Sequence, residues 1–285
     1  MPAKLIKGDI VAEKIRNEIL AELKILYHAT ALIPGLAVII AGESPASLAH
    51  IASIEKQSKK MGFFYQAHRL SYDTTQEEIL NAVYELNDNK KIHGFMVQLP
   101  LPEQINKWAI LEAIDPEKDV ECAHPINVGK LFSNEQGYIP CSANSVMQMI
   151  EFTSKPVLGK SAVIVGRSNI LSKPLSLLLL RRNASVTICH TYTKHLVEIC
   201  KEADILISAT GRPGLITADY VKPDAIVIDV GVTRVKDRLL GDVAFEEVRE
   251  IASWISPVPG GVGPINITML LMNTLQAFKK KARED

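Results

Sequence analysis

The sequence of 285 residues is poor in cysteine and has no excess of charge of either sign. Its four cysteines, Cys122, Cys141, Cys189 and Cys200, lie far apart, and none belongs to a C-x-x-C pair. This spacing indicates reduced thiols and argues against a disulfide framework or a zinc site, so we expect no bound metal. The 32 basic and 32 acidic side chains give a formal net charge of zero, which argues against a nucleic-acid partner.

Long apolar runs are also absent. Residues 1–15 lack the apolar core of a signal peptide, and no stretch approaches the roughly 18 to 20 apolar residues of a membrane span. We therefore expect a cytoplasmic protein that has no membrane partner. The chain is long enough for a well-buried core and for two lobes.

Helix-length and strand-length segments alternate in the first half of the chain. Apolar residues recur at four-residue steps from Val11 to Leu23, which predicts an amphipathic helix. Short apolar runs bounded by turn residues predict strands, and a threonine cap with Glu78 behind it predicts a helix start. The predicted helices are 9–27, 44–60 and 74–87, and the predicted strands are 35–42, 63–70 and 93–100. Such alternation implies parallel strands covered by helices.

The second half repeats this alternation more regularly. Four β-rich runs are separated by helix-length segments, at 161–166, 185–189, 204–210 and 225–231. They predict a doubly wound parallel sheet of the type that binds dinucleotides. Between the halves, residues 114–141 are dense in Pro, Gly, Asn and Asp without clear periodicity, which predicts a connecting loop. A final helix is predicted from about Ile265 to Lys281.

A candidate cofactor turn lies in VIVGRSNILSKP, residues 163–174. A predicted strand leads through Gly166 into an apolar helix, where N–H groups and the helix dipole can hold a pyrophosphate. One glycine stands where three are usual, so a purely structural turn is the alternative. The next strand ends in CHTYTK, without an acidic residue for the ribose hydroxyls of NAD. Arg167 and Lys194 favour NADP, with NAD as the alternative, unless both cations are merely solvated.

Five stretches of the sequence, taken together, resemble one known enzyme family. They are SPASLAHIASIEK (44–56), HGFMVQLPLP (93–102), EKDVECAHPINVGKL (117–131) with VGRSNILSKP (165–174), and SPVPGGVGPINITMLLMNTL (256–275). They resemble the bifunctional methylenetetrahydrofolate dehydrogenase/methenyltetrahydrofolate cyclohydrolase family, and the likeness covers essentially the whole chain. VQLPLP and PVPGGVGP are long, unusual in composition, and fall in the family's order and spacing.

The resemblance implies an α/β protein of two lobes. A folate-binding catalytic domain would cover 1–140, with 270–285 of the last helix packing back on it, and a Rossmann-type NAD(P)-binding domain would cover 141–269. It further implies a homodimer, with a tetrahydrofolate derivative in the cleft between the lobes and NADP on the C-terminal sheet. Hydride would pass from the methylene bridge to the nicotinamide, and the methenyl cation would then be hydrated and opened. The first step depends on positioning and the second on proton transfer.

Functional residues are carried over only where the motifs match. Gln98 stands where the family has the amide that supports its catalytic lysine and the folate ring. The loop over 259–263 resembles the folate-facing wall, where glycine would let the backbone approach a flat ring, although a structural turn is the alternative. The candidate substrate-binding residues are His50, Val97, Gln98, Leu99, Glu121, Pro259, Gly260 and Gly263. The candidate cofactor-binding residues are Gly166, Arg167, Ser168, Thr191, Thr210, Gly231 and Val232.

The helix over 44–60 departs from the family's pattern. The family presents a tyrosine and, four residues later, a lysine on which its hydrolytic activity is thought to depend; this chain has His50 and Ile54 there. Ile54 cannot exchange a proton, and Lys56 is turned roughly 200° away around the helix. His50 can act as an acid or base near neutral pH or stack on a pterin, and a structural role is the alternative.

Further departures cluster in the same predicted cleft. Glu121 replaces the family's aspartate and moves the carboxylate by one methylene, roughly 1.5 Å. The other departures are Cys122, Ala123, Ser142, Ala143, Ser145, Ser172, Tyr192 and Asn266. This clustering indicates either a changed substrate or the loss of one activity. The candidate catalytic residues are Gln98, His50 and Glu121.

The leading hypothesis is an NADP-dependent methylenetetrahydrofolate dehydrogenase whose cyclohydrolase activity is weak or lost. One alternative is a dehydrogenase that acts on another small imine or amine, which His50, Glu121 and Ala123 favour. A second alternative is a non-catalytic cofactor-binding paralogue that pairs with another subunit.

Overall fold

The computed structural model describes residues 1–236 and 238–284. Its strands are β1 (Lys4–Leu5), β2 (Gly35–Ala41), β3 (Phe64–Leu70), β4 (Gly94–Val97), β5 (Ser161–Val165), β6 (Ser185–Cys189), β7 (Ile205–Ser208), β8 (Ile226–Asp229), β9 (Thr233–Val235), β10 (Arg238–Leu240) and β11 (Trp254–Ile255). Its α-helices are α1 (Gly8–Thr30), α2 (Pro45–Lys60), α3 (Gln76–Asp88), α4 (Lys107–Ala113), α5 (Pro125–Phe132), α6 (Cys141–Phe152), α7 (Ser172–Arg181), α8 (Leu196–Lys201), α9 (Phe245–Arg249) and α10 (Val262–Glu284). None of the helices described is both long enough and apolar enough to cross a membrane.

The chain divides into two compact units. The N-terminal unit comprises Ile15–Cys141 and Ile267–Asp285, and the C-terminal unit comprises Met1–Lys14 and Ser142–Asn266. Each unit contains a parallel β-sheet with helices, so the predicted α/β class and its parallel strands are confirmed.

The sheet of the N-terminal unit has three parallel strands in the order β3-β2-β4. Every residue of β2 is buried, as expected for the central strand of a sheet that helices cover. The predicted cap of α3 is present, because the Thr75 hydroxyl accepts from the Glu78 N–H at 3.2 Å. Glu78 Oε2 in turn accepts from the Thr75 N–H at 2.8 Å. The apolar face of α3 then packs on β2 and β4 through Ile79, Val83 and Leu86.

The prediction that residues 114–141 form only a connecting loop is wrong, because α5 lies within this segment. His124 Nδ1 accepts from the Ile126 N–H at 3.0 Å and caps the helix. Pro125 occupies the first turn, where a missing N–H costs nothing. The proline and the polar residues that indicated a loop are therefore the start signal of a short helix, whose Asn127 and Leu131 are buried.

The last helix, α10, returns to the N-terminal unit as predicted. The Phe278 and His93 rings pack nearly perpendicular to each other with centroids 4.8 Å apart, and Lys279 pairs with Glu22 at 2.7 Å. The helix begins at Val262 rather than near Ile265, because a proline in the first turn does not interrupt a helix. Gly263, predicted as part of a loop, therefore lies in the first turn of α10.

The C-terminal unit contains a six-stranded parallel sheet in the order β1-β11-β8-β7-β5-β6, and β9 and β10 form a separate antiparallel pair. Residues 1–14 belong to this unit, whereas the resemblance to the family implied that they belong to the first domain. The reason is that Lys4 and Leu5 pair with Trp254 and Ile255, which makes β1 the edge strand of the sheet. Both strands have two residues, too few to show a periodic pattern.

Candidate active site

The first group of candidate residues lies at the carboxyl edge of the N-terminal sheet. β2 and β4 are parallel neighbours with Ile39 opposite Val97, so α2, which follows β2, and Gln98, which follows β4, leave the sheet at the same edge. Phe95 forms a parallel bridge to Asp119, which brings the segment of Glu121 alongside β4. The sheet thus positions the elements that carry the three candidate catalytic residues.

Gln98 has an unusual hydrogen-bond environment. Its backbone N–H donates to the Ile39 carbonyl at 2.8 Å, and its Nε2 donates to the Leu99 carbonyl at 2.6 Å. Its Oε1 is buried and has no hydrogen-bond partner among the residues that the structure describes. Leaving a buried acceptor unpaired costs about 1–3 kcal/mol, so this oxygen is a candidate contact for a ligand.

The buried face of α2 carries no lysine. Ile54 is fully buried, at 0% exposure. The three lysines of the helix are exposed: Lys56, Lys59, which pairs with Glu55 at 2.6 Å, and Lys60. A half-turn of the helix separates Lys56 from Ile54, so the amine of Lys56 does not replace the lysine of the family.

His50 lies on the same side of α2 as Ile54 and is half-buried. Burial lowers the pKa of its imidazole from the ordinary value of 6.5, because removal from water disfavours the charged ring. His50 is therefore neutral at pH 7. It can contribute an uncharged aromatic surface or a proton acceptor to this edge.

Glu121 is a carboxyl group in a poorly solvated position. Burial raises its pKa to about 7, the charge of Asp119 adds to this rise, and a hydrogen bond with the Cys141 thiol opposes it. Asp119 itself is held by the N–H groups of Ala123 at 3.0 Å and His124 at 2.9 Å and by Asn127 Nδ2 at 2.8 Å. Asp119 thus anchors the turn, and Glu121 is the carboxyl group that can change its charge near neutral pH.

The second group of candidate residues follows the carboxyl ends of the C-terminal sheet. These residues are Gly166, Arg167 and Ser168 after β5, Thr191 after β6, Thr210 after β7, Gly231 and Val232 after β8, and Pro259 and Gly260 after β11. All of these strands are parallel, so the structure gathers the residues at one edge of one sheet. In open α/β sheets this edge is where ligands bind.

The turn after β5 requires glycine and is closed by two serines. Gly166 has φ 135°, and a Cβ there would lie 2.5 Å from the Ala209 carbonyl oxygen. Ser168 Oγ accepts from the Leu171 N–H at 3.2 Å and the Ser172 N–H at 3.3 Å. Ser172, which replaces a family glycine, is fully buried, and its Oγ accepts from the Ser168 N–H at 3.2 Å. The turn is therefore ordered by its own residues.

An arginine from the turn after β5 lies against the loop that follows β6. The Arg167 guanidinium lies over the Tyr192 ring, 5.8 Å from its centroid. The loop that holds Tyr192 is closed by the His190 N–H, which donates to Thr193 Oγ1 at 2.8 Å. An arginine held at this edge suits a phosphate group, as NADP carries on its ribose, better than a free ribose hydroxyl.

Comparison with known proteins decides the family. The model for the catalytic domain of tetrahydrofolate dehydrogenase/cyclohydrolase matches residues 6–121, and the model for the NAD(P)-binding domain of the same enzymes matches residues 140–282. The chain belongs to the tetrahydrofolate dehydrogenase/cyclohydrolase family. It is 47% identical over 280 residues to the bifunctional protein FolD of Halalkalibacterium halodurans, across 98% of this chain and 100% of that protein.

Two solved structures of this family are also similar to the chain. The bifunctional FolD of Campylobacter jejuni has a TM-score of 0.95 at 40% identity, across 98% of this chain and 99% of that one. FolD of Trypanosoma brucei, solved with NADP cofactor and an inhibitor, has a TM-score of 0.96 at 38% identity, across 99% of each chain. The resemblance predicted from the motifs is confirmed.

Sequence reasoning missed two buried carboxylates at the cofactor edge of this family member. Asp242 Oδ2 accepts from the Thr210 N–H at 2.6 Å and from Ser208 Oγ at 2.9 Å. Asp229 accepts from the N–H groups of Gly231 at 3.0 Å and Val243 at 2.9 Å, and burial raises its pKa to about 6. The sequence signal for these two carboxylates was present in DVG (229–231) and GDV (241–243), where an aspartate lies close to a glycine in an apolar run.

The predicted wall loop has a structural role of its own. Gly260 has φ 98°, and its carbonyl accepts from the Gly8 N–H at 2.8 Å. A side chain on Gly8 would overlap the Gly261 carbonyl, so glycine is required for this approach. Pro259 is exposed beside it.

Among the residues described, no group of three or more His, Cys, Asp or Glu side chains could hold a metal ion.

Proposed function

We propose that this protein catalyses the NADP-dependent oxidation of 5,10-methylenetetrahydrofolate and hydrolyses the methenyl product weakly or not at all. Family membership and a match along nearly the whole chain support the first activity. One observation carries the second part: fully buried Ile54 stands at the family's lysine position, while Gln98 Oε1 lacks a partner in the described structure.

The residues of the N-terminal edge suit a pterin. An ionised Glu121 could accept two N–H groups of the pterin head, and Gln98 Oε1 could accept another. Val97 and Leu99, which adjoin Gln98 in the chain, are further candidates for this contact, and the neutral His50 offers a ring in the place of the family's tyrosine. Loss of hydride from the methylene bridge needs no proton from the protein, because the substrate's nitrogen lone pairs stabilise the cation. Correct positioning by these residues is therefore sufficient for the oxidation.

The residues of the C-terminal edge suit NADP. Gly166 and Ser168 would hold the pyrophosphate at the turn after β5, and Arg167 would face the ribose phosphate. When bound, NADP supplies the hydride acceptor. The residues that would line the rest of its site are Thr191, Thr210, Gly231 and Val232, with Pro259, Gly260 and Gly263 as candidates for the folate-facing wall.

Hydrolysis of the methenyl cation needs a group that moves protons. The lysines of α2 are exposed, and the half-buried Lys118 donates from Nζ to the carbonyls of Leu86 and Asn89 at 2.9 Å each. Those carbonyls lie at the end of α3, which leads into the amino end of β4, opposite the edge that carries Gln98. The relatives named above are bifunctional, so this chain would differ from them in one activity.

A dehydrogenase for another imine or amine and a non-catalytic paralogue are not favoured, because the chain is similar to folate enzymes over nearly its full length. We further propose a homodimer, which analytical ultracentrifugation would test. A cytoplasmic location stays a prediction from the sequence.

The function is tested by assaying the purified protein with methylenetetrahydrofolate and either NADP or NAD. We expect NADP reduction that depends on the folate and is slower with NAD. NADP binding without turnover of any substrate would support the non-catalytic, cofactor-binding alternative. Turnover only with another imine or amine would support the other alternative.

A further inference from the structure

Asp242 is a buried carboxylate at the carboxyl edge of the C-terminal sheet. The residue is fully buried, at 0% exposure. Its Oδ2 accepts from the Thr210 N–H at 2.6 Å and from Ser208 Oγ at 2.9 Å. Ser208 ends β7, and Thr210 lies in the loop that follows it. One oxygen of Asp242 therefore holds the start of the loop after β7.

The other oxygen of Asp242 packs against the loop after β8. A Cβ on Gly231 would lie 2.0 Å from Asp242 Oδ1, so this oxygen occupies the space that a side chain would need. Oδ1 is buried and meets no hydrogen-bond donor in the described part of the chain. The carboxylate thus lies directly on the backbone of Gly231, an approach that only glycine permits.

Asp229, the last residue of β8, fixes the main chain on both sides of this contact. Its Oδ1 accepts from the N–H groups of Gly231 at 3.0 Å and Asp242 at 3.1 Å. Its Oδ2 accepts from the Val243 N–H at 2.9 Å. The loop after β8 and the segment that carries Asp242 are therefore held together through their backbones.

The loop after β7 also supports the glycine turn after β5. A Cβ on Gly166 would lie 2.5 Å from the Ala209 carbonyl oxygen, so the two backbones are in close contact. Ala209 directly precedes Thr210, whose N–H is bound by Asp242. Fixing this loop therefore also fixes the surface against which the turn after β5 packs.

We propose that Asp242 is a positioning residue for the cofactor site: its carboxylate orders the loops after β7 and β8 before NADP binds. Thr210 and Gly231, the candidate contacts in those loops, are then already in place. A site that is ordered in advance binds more tightly, because binding does not have to offset the entropy lost when loops become fixed. The inference rests on the proposed function, in which NADP binds at this edge. Asp242 acts through the two loops, since its own carboxylate is buried.

The test compares three variants by calorimetric titration with NADP. D242A removes both contacts of the carboxylate and should raise the Kd for NADP about tenfold. D242N keeps one oxygen that can accept from the Thr210 N–H and from Ser208, and its nitrogen replaces the oxygen that has no donor. It should raise the Kd less than about threefold.

D204A is the matched control for the loss of an aspartate that accepts a backbone hydrogen bond. Asp204 Oδ2 accepts from the Ser161 N–H at 3.0 Å, but at the amino ends of β5 and β7. D204A should leave the Kd for NADP unchanged. In D242A the KM for NADP should rise about tenfold, while the KM for methylenetetrahydrofolate should change less than about twofold. A general loss of structure would raise both.

Amide hydrogen exchange of the wild-type protein, followed by NMR without NADP, needs no variant. The Thr210 N–H should exchange as slowly as the amides of β7, because a buried carboxylate already holds it. Exchange at the rate of an open loop would show that the loop is not ordered in advance, and this holds even if D242A does not fold.

Four results would overturn the proposal: wild-type NADP affinity in D242A, an equal loss of affinity in D204A, an equal loss in D242N and D242A, or rapid exchange of the Thr210 amide. Lack of folate turnover with the NADP affinities and the exchange rate as expected would instead refute the proposed function alone.

Discussion

Replacing Ile54 with lysine is the most severe test of the inference that position 54 of α2 is buried and lacks a group that transfers protons. The side chain is fully buried, so I54K places an ammonium group inside the N-terminal unit. Losing the buried isoleucine costs about 2–3 kcal/mol. If burial lowers the pKa of the new lysine by about two units, charging it costs about 3 kcal/mol more.

The sign of the pH dependence follows from proton binding. Between the lowered pKa and the ordinary value of about 10.4, the unfolded chain binds more protons than the folded one. The charge penalty is therefore full at pH 7 and decreases as the pH rises towards 10. A hydrogen bond from the amine to the unpaired Gln98 Oε1 would reduce the penalty by about 1–3 kcal/mol.

Urea unfolding of the wild type, I54K and I54M at pH 7 and pH 9.5 measures the cost of losing the isoleucine and the pH-dependent cost of the buried charge. The control I54M keeps the volume without a charge and should lose less than about 1.5 kcal/mol at both pH values. I54K should also hydrolyse methenyltetrahydrofolate faster than the wild type, and the double variant H50Y/I54K faster still. If I54K is as stable as the wild type at pH 7, position 54 is not buried. If the folded double variant gains no hydrolysis, the missing lysine is not what limits that activity.

Three further predictions concern other parts of the molecule. The pKa of Glu121 is raised to about 7 from an ordinary value of 4.5, so the folded protein favours the protonated carboxyl group. The contribution of this protonated group to the free energy of folding is full below pH 4.5 and is lost as the pH rises through 7. E121Q should therefore gain stability over the wild type between pH 5 and 8, by up to about 3 kcal/mol in urea unfolding, and a pH-independent difference would contradict this. T75A should lower the free energy of unfolding by about 1 kcal/mol in the same assay. T217A is the control, because the Thr217 side chain makes no cap hydrogen bond, and it should lower the free energy of unfolding by less than about 0.5 kcal/mol. Equal losses would show that the cap of α3 contributes nothing. R167A should weaken NADP binding about tenfold in calorimetry and NAD binding much less, because only NADP carries the ribose phosphate; equal losses would exclude Arg167 from that contact.

The regular parts of the fold were predictable because their signals are local. The apolar run of β2 and the Thr75–Glu78 cap of α3 can be read from neighbouring residues. The pairing of Lys4 with Trp254 cannot, because it joins two-residue strands 250 positions apart in the chain. α5 was missed because Pro125 is both a loop signal and a favourable first helical residue.

The sequence names candidate site residues, which stay predictions, but it does not give their contacts. Motifs pointed to Gln98 and Ile54, and the helical period showed that Lys56 faces elsewhere. Gln98 Oε1 is buried and unpaired in the folded chain, which the residues next to it in the sequence do not reveal. The hydrogen bond from Thr210 to Asp242 joins residues 32 positions apart in sequence and leaves no local pattern. Tertiary packing alone creates such contacts.

The central claim is that the folate site lacks an amine able to move protons. The most direct measurement follows methenyltetrahydrofolate hydrolysis by the wild-type protein, with buffer alone as the reference and folate-dependent NADP reduction as proof of active enzyme. We expect clear NADP reduction with hydrolysis close to the rate in buffer. Hydrolysis as fast as the oxidation would contradict the account.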